Sequence, residues 1–136
     1  MSVDTPTVTA QAPRRLNVLL VDDDESLRRA LARTIRLAGF DVEVFASAES
    51  LLSRGICERD RCLVLDVDLP DIDGLDCKRT LDASGRQLPT VFITALPRGD
   101  VSASLAALAP VAVLYKPFNK DDLLEAIEEA CVEASP

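Results

Sequence analysis

Short apolar runs alternate along this chain with segments whose apolar residues recur at helical spacing. The runs predict five strands, at residues 17–21, 41–45, 62–66, 90–94 and 111–115. The segments between and after them predict five helices, at residues 25–38, 48–53, 75–83, 100–108 and 120–132. Short, nearly continuous aliphatic runs are typical of strands buried on both faces of a parallel sheet. The pattern therefore predicts an α/β fold, a doubly wound five-stranded parallel sheet with helices on both faces.

The two ends of the chain lack this alternation. Residues 1–15, which are rich in threonine, proline and small residues, predict a disordered N-terminal arm. One folded domain is expected over residues 16–133, followed by a short tail at 134–136. No apolar stretch approaches the length of a membrane span, and the N-terminus lacks the apolar core of a signal peptide. We expect a cytoplasmic protein without a membrane association.

Composition excludes several classes of function. The chain has 15 basic and 23 acidic residues and a formal net charge of −8, which argues against direct nucleic-acid binding. It has no histidine, so histidine-based acid–base catalysis, the usual catalytic triads and a phosphohistidine within this chain are excluded. The four cysteines form no CxxC pair. Cys62 and Cys131 lie in apolar patterns and are predicted to be small core residues.

Acidic residues follow two of the predicted strands at the point where each strand ends. Asp22 and Asp23 follow the first strand, and Asp66 and Asp68 lie at the end of the third. Ligand chemistry in parallel α/β sheets gathers at the carboxyl ends of the strands. Like charges brought together there disfavour ionisation unless a cation neutralises them, and an all-oxygen cluster suits Mg2+. Asp24 is better explained as the N-cap of the helix that follows.

Four motifs in fixed order identify a family resemblance. They are Val-Asp-Asp-Asp at 21–24, Leu-Asp-Val-Asp-Leu-Pro-Asp-Ile-Asp-Gly at 65–74, Phe-Ile-Thr-Ala at 92–95 and Tyr-Lys-Pro-Phe at 115–118. Over about residues 16–132 the chain resembles the receiver domains of two-component response regulators, which have the CheY-like or flavodoxin-like (βα)5 fold. The combination is far more specific than any one motif.

The resemblance implies a phosphorylation site that depends on Mg2+. By this resemblance, Asp66 is the phosphoacceptor. Asp23 and Asp66 would bind Mg2+ directly, Asp22 through water, and Asp68 through its backbone carbonyl. The phosphoryl group would come from a sensor histidine kinase or a histidine phosphotransfer protein, or from a small phosphodonor. Such a domain is a signalling switch with slow self-directed hydrolysis and is not a turnover enzyme.

Three further residues complete the site that the resemblance implies. Thr94 would donate a hydrogen bond to a phosphoryl oxygen, and Lys116 would form an ion pair with the phosphoryl group. Lysine suits this role as a point-charge phosphate binder. Ala95 leaves room for the incoming group where a larger side chain would block it. Gly74 is interpreted as a backbone requirement of the loop or helix start.

The chain departs from the family pattern near its fourth helix. Many receivers have an aromatic residue three positions before the lysine, and here that residue is Val113, which puts the usual threonine–aromatic coupling in doubt. Pro110 is predicted to end the fourth helix early. Residues 101–115 contain no charge, which predicts either a contact surface for a homodimer or downstream protein partner, or a short, largely buried helix. The extra charge of Asp68 is predicted to alter the lifetime of the phosphoryl group.

The residues alone leave two other functions open. Asp66 and Asp68 could form the DxD motif of a haloacid-dehalogenase-like phosphatase or phosphotransferase, with Thr94, Lys116 and the acidic pair at 121–122 as its later motifs. That class places DxD near the first strand and has no use for an acidic pair before it. The second alternative is a receiver-like adaptor that is never phosphorylated.

We expect no DNA-binding or enzymatic output module, since the chain ends soon after the last predicted helix. It would then be a stand-alone receiver that acts through protein contacts, or the receiver of a longer regulator. Met1 favours an intact N-terminus.

Overall fold

The computed structural model describes residues 16–95 and 103–134, and the side chains of these as far as residue 132. The strands are β1 (Asn17–Val21), β2 (Asp41–Phe45), β3 (Asp60–Asp66), β4 (Thr90–Thr94) and β5 (Ala112–Tyr115). The helices are α1 (Glu25–Leu37), α2 (Ala48–Arg54), α3 (Gly74–Ala83), α4 (Ala103–Ala107) and α5 (Lys120–Ala134). The strands form one parallel sheet in the order β2-β1-β3-β4-β5, which confirms the predicted fold class.

The sheet carries a separate apolar layer on each face because successive side chains of a strand point to opposite sides. In β1, Val18 and Leu20 pack in the layer beneath α1 and α5. Leu19 and Val21 pack in the layer beneath α2, α3 and α4. All four side chains are fully buried, as expected for a strand in the interior of a doubly wound sheet.

Both cysteines that were predicted to lie in the core are buried. Cys62 of β3 and Cys131 of α5 belong to the layer beneath α1 and α5. Their hydrogen bond and the loss of solvent raise the pKa of the Cys62 thiol. The prediction that they are core residues is confirmed.

Element boundaries differ from the predicted ones chiefly in β3 and α4. Strand β3 begins two residues earlier than predicted, at Asp60. The last residue of α4 is Ala107, and Ala109 adopts a positive φ of 48° directly before Pro110. The chain thus leaves the helix ahead of the proline, as predicted. The predicted start of this helix at residue 100 and the predicted N-terminal arm lie outside the described residues.

A buried ionic cluster explains why β3 starts at a charged residue. The Asp60 carboxylate is fully buried and accepts hydrogen bonds from Arg54 at 2.7 Å, from the Asn17 amide at 2.8 Å and from the Cys57 backbone at 2.7 Å. Burial by itself would raise the pKa of Asp60, but these hydrogen bonds and the charge of Arg54 together lower it. Since a buried carboxylate is tolerated when its oxygens are paired, the cluster fixes the end of β3 opposite to Asp66.

Candidate functional site

The predicted site residues meet at the carboxyl edge of the sheet. Asp22 and Asp23 follow β1, Asp66 ends β3, Thr94 ends β4 and Lys116 follows β5. These are four strands in adjacent positions, so their ends lie side by side. Carboxylate oxygens of the three aspartates lie within 4.8 Å of one another. The structure therefore brings together the acidic cluster and the lysine that the sequence placed on separate segments.

Asp66 is buried and both of its carboxylate oxygens have partners. It is 1% exposed, although it lies at the end of a strand. Lys116 Nζ is 3.0 Å from Asp66 Oδ2, and the backbone N–H of Asp68 donates to Asp66 Oδ1 at 2.8 Å. These contacts fix the orientation of the carboxylate and hold an ammonium group beside it.

Asp22 is a buried carboxylate with one oxygen that accepts no hydrogen bond from the described residues. It is fully buried, and its Oδ1 accepts a hydrogen bond from the Asp24 backbone at 2.9 Å. Its Oδ2 accepts no hydrogen bond from any described residue, and Lys116 Nζ lies 3.8 Å away from it. Burial raises the pKa of Asp22, and the charges of Asp66 and Asp23 raise it further. A second cation close to this oxygen would relieve both effects.

The donor set fits a hard divalent cation. Asp22, Asp23 and Asp66 offer oxygen atoms alone, at mutual distances that one ion could span. Asp22 and Asp66 are buried while Asp23 is exposed, so the cluster is open to solvent on one side. Oxygen ligands from one or two carboxylates, completed by water, are what Mg2+ prefers in proteins. The cluster is thus suited to Mg2+ by the chemistry of its donors and by the buried Asp22 oxygen, which accepts no hydrogen bond from any described residue.

Lys116 remains a cation in this setting. Burial alone would lower its pKa, but the hydrogen bond and charge of Asp66, with the charges of Asp22 and Asp68, raise the pKa above the ordinary lysine value. Its backbone N–H donates to the Thr94 carbonyl at 2.8 Å, which ties the end of β5 to the end of β4. The peptide bond from Lys116 to Pro117 is cis.

The rim of the site is formed by Asp68 and Ala95, both of which are exposed. The Ala95 backbone N–H donates to Asp68 Oδ2 at 3.2 Å, across 27 residues of sequence. Thr94, directly before Ala95, is buried at the end of β4. The Asp68 side chain thus lies at the rim of the site, in a hydrogen bond with a distant residue that local sequence patterns could not predict.

Asp71 lies in the loop between β3 and α3, and its role was not predicted from the sequence. Its carboxylate accepts hydrogen bonds from the backbone N–H groups of Glu49 at 2.9 Å and Ala48 at 3.3 Å, at the start of α2. These hydrogen bonds lower the pKa of Asp71, that from Glu49 the most. Asp71 therefore fastens the loop after Asp66 to the neighbouring helix. An acidic residue in a loop was the available signal, but its partner lies more than twenty residues away.

The uncharged segment near α4 is partly core and partly surface. Leu105 is buried, and Leu108 and Val113 pack in the same apolar layer. The alanines of α4 and the turn after it are exposed, namely those at 103, 106, 107 and 109. The segment over residues 103–115 is thus buried in part and exposed in part, while residues 101 and 102 lie outside the described part. That its exposed part is a contact surface stays a prediction. Over residues 16–95 and 103–134, no helix is both long and apolar enough to cross a membrane.

Comparison with known proteins shows that the folded part of the chain is similar to one protein family. A family model described as the response regulator receiver domain matches residues 18–128. Response regulator protein TodT of Pseudomonas putida is 37% identical over 118 residues, covering 83% of this chain and 50% of TodT. Transcriptional regulatory protein FixJ of Rhizobium meliloti is 36% identical over 115 residues, covering 83% of this chain and 55% of FixJ. The chain spans about half the length of the curated relatives it matches.

Solved structures have the same fold. The response regulator StyR superposes with a TM-score of 0.82 at 35% identity, covering 89% of this chain and 61% of StyR. A CheY-like receiver domain protein from Methanospirillum hungatei superposes with a TM-score of 0.80 at 25% identity, covering 89% of this chain and 97% of that one. The site described above therefore lies in a fold that these two proteins share.

Proposed function

The chain belongs to the response regulator receiver domain family, and we propose that its Asp66 accepts the phosphoryl group that such a domain receives. It is a receiver domain of the two-component response regulator type and not a turnover enzyme. The observation that carries the proposal is the cluster of three carboxylates, Asp66 and Asp22 buried and Asp23 exposed, with Lys116 Nζ 3.0 Å from one Asp66 oxygen. A carboxylate so placed is suited to act as a nucleophile toward phosphorus.

The proposed reaction is a direct transfer to Asp66. A carboxylate oxygen of Asp66 forms a bond to the phosphorus atom of the donor as the bond between phosphorus and the donor's leaving atom breaks. For a phosphohistidine donor the leaving atom is an imidazole nitrogen, which keeps the electron pair of that bond. The product is an aspartyl phosphate. Lys116 stabilises negative charge on the transferring group as a fixed point charge.

The other site residues support this transfer. Asp22, Asp23, Asp66 and the backbone carbonyl of Asp68 would hold Mg2+. When bound, Mg2+ supplies positive charge that offsets the negative charge of the transferring group. Thr94 places a hydroxyl group at the neighbouring strand end.

Ala95 follows Thr94 at the rim of the site, where its backbone N–H donates to Asp68 and its small side chain leaves the site open to the donor. Its methyl group is the smallest side chain that retains a Cβ, and the residue is exposed. A larger side chain at this position would stand between the donor and Asp66. We therefore assign Ala95 a role in access rather than in bond making.

The partners follow from the chemistry. Because the chain has no histidine, the phosphohistidine must lie on another protein, a sensor histidine kinase or a histidine phosphotransfer protein. Relatives of the chain are named as response regulators and transcriptional regulatory proteins, and we propose that it acts in a pathway of that kind. The receiver would pass on its state through protein contacts, since its net charge of −8 opposes direct binding to nucleic acid.

The two alternative functions have less support. In a phosphatase of the haloacid-dehalogenase type, the acidic pair at 121–122 would lie at the site, but both residues are exposed on the first turn of α5, and the Asp122 backbone N–H is capped by Asn119 at 2.8 Å. A receiver-like adaptor would not need a buried Asp22 oxygen without a hydrogen bond in the same cluster as Asp66.

The stoichiometry of labelling tests the proposed reaction against the phosphatase alternative. With Mg2+ and acetyl phosphate, we expect intact mass to rise by one phosphoryl group per chain, at Asp66, and chelation of Mg2+ to prevent this. A generic phosphomonoester should not be turned over. Repeated turnover of that ester without a stable adduct would favour the phosphatase, and no adduct with any small donor or kinase would favour the adaptor.

We propose the exposed alanines of α4 and the adjoining edge strand β5 as the contact surface for a homodimer or downstream partner. An edge strand with uncharged neighbours offers apolar area for a protein contact. Light scattering of the chain with Mg2+, with and without beryllofluoride, should reveal a doubling of mass in the loaded sample. A monomer at high concentration in both samples would contradict the dimer and leave a different downstream protein as the partner of this surface.

A further inference from the structure

Asp68 makes a contact that the proposed phosphotransfer does not use. Its backbone N–H donates to Asp66 Oδ1 at 2.8 Å, while its side-chain Oδ2 accepts from the Ala95 N–H at 3.2 Å. One residue therefore links the end of β3 to the end of β4 directly over the entrance. Its side chain is nonetheless exposed, so no packing holds the carboxylate in this place.

A phosphoryl group on Asp66 would need the same donors. It carries close to two negative charges and three strong acceptor oxygens. Lys116 Nζ and the backbone N–H of Asp68 are two donors that already contact Asp66. The Ala95 N–H follows the end of β4, the strand next to β3, and the Asp68 carboxylate already accepts a hydrogen bond from it.

We propose that the Asp68 carboxylate is a displaceable anion that occupies the Ala95 N–H in the resting state and must turn into solvent when Asp66 is phosphorylated. This inference rests on the proposed function and adds to it a residue that regulates the same site. The carboxylate competes with the phosphoryl group in two ways. It holds a backbone donor, and it brings a like charge close to the transferring group. Both effects slow capture of a phosphoryl group and shorten its stay.

Two variants separate the hydrogen bond from the charge. Asp68→Asn removes the charge but keeps an oxygen that can accept from the Ala95 N–H. Asp68→Ala removes both. The control is Glu125→Ala, which changes the net charge equally at an exposed position on α5, outside the site. Beryllofluoride with Mg2+ is the probe, because its binding is an equilibrium and can be titrated.

We expect Asp68→Ala to bind beryllofluoride more tightly than Asp68→Asn by about two- to tenfold, the range that corresponds to one net hydrogen bond. Asp68→Asn should in turn bind more tightly than the wild type, and Glu125→Ala should match the wild type. Equal affinities for the alanine and asparagine variants would overturn the competition for the Ala95 N–H. Weaker binding by Asp68→Ala would instead mean that the residue merely holds the loop, which also overturns the proposal.

The resting state provides a readout that does not depend on phosphorylation. In NMR spectra of the unloaded chain, the Ala95 amide proton should move upfield and exchange faster with solvent in Asp68→Ala, and change less in Asp68→Asn. An unchanged Ala95 amide would refute the inference while labelling of Asp66 could still succeed. Failure of the wild type to take up either acetyl phosphate or beryllofluoride would refute the proposed function itself.

Discussion

Replacing Asp66 with asparagine should abolish phosphoryl labelling by acetyl phosphate, which we expect to be complete in the wild type. The amide of asparagine is not a nucleophile toward phosphorus, and it cannot form the acyl phosphate that an aspartate forms. No other carboxylate of the described site combines burial with a lysine at hydrogen-bond distance, as Asp66 does. Intact mass spectrometry of both proteins, after equal exposure to donor and Mg2+, measures the effect.

The fold of this variant should survive. Asparagine keeps the shape of the side chain and removes one of three like charges, so we expect the midpoint of thermal unfolding not to fall. Asp121→Asn, at an exposed position on α5, is the matched control and should be labelled as fully as the wild type. If the Asp66→Asn protein gained the same phosphoryl mass, the phosphoacceptor would be another residue and the proposed site would be wrong.

The centre of the sheet was predictable because its strands are buried on both faces. β1 and β4 have the predicted bounds, and all their residues are buried. β2 also has the predicted bounds, although it is a half-buried edge strand in which Val42 and Val44 alternate with charged residues. The acidic cluster was predictable for a related reason. Parallel strands end at one edge of a sheet, so carboxylates that follow different strands must meet there.

Contacts between distant segments could not be predicted in the same way. β3 begins at a charged residue because Arg54 and Asn17 pair with Asp60, and nothing in the local pattern announces those partners. The same holds for the hydrogen bond from Ala95 to Asp68 at the rim. Hydrophobic periodicity reports which face of an element is buried, but not which polar groups meet once the elements are packed.

Gly74→Ala should lower the free energy of unfolding by about 3 kcal/mol, at the upper end of over-packing costs, because the obstacle is rigid backbone. A Cβ on Gly74 would collide with the Asp66 carbonyl oxygen and come within 2.7 Å of Val67 Cα. The Gly74 N–H also donates to the Val67 carbonyl at 3.0 Å, so the two segments are held together. Gly74 is the first residue of α3, where alanine would otherwise favour the helix. A decrease in the free energy of unfolding would therefore be due to the collision, since the helix propensity of alanine alone would increase it.

The same substitution should impair the site, because we expect relief of the collision to displace the backbone of Asp66, whose carboxylate contacts Lys116. Denaturant unfolding measures the stability, and the rate of labelling by acetyl phosphate measures the site. Gly85→Ala is the control: a Cβ there meets nothing within 4 Å, but φ is +136°. It should lose stability through backbone strain alone and label at the wild-type rate. A Gly74→Ala protein as stable as the wild type, or labelled as fast, would mean that α3 can shift without disturbing Asp66.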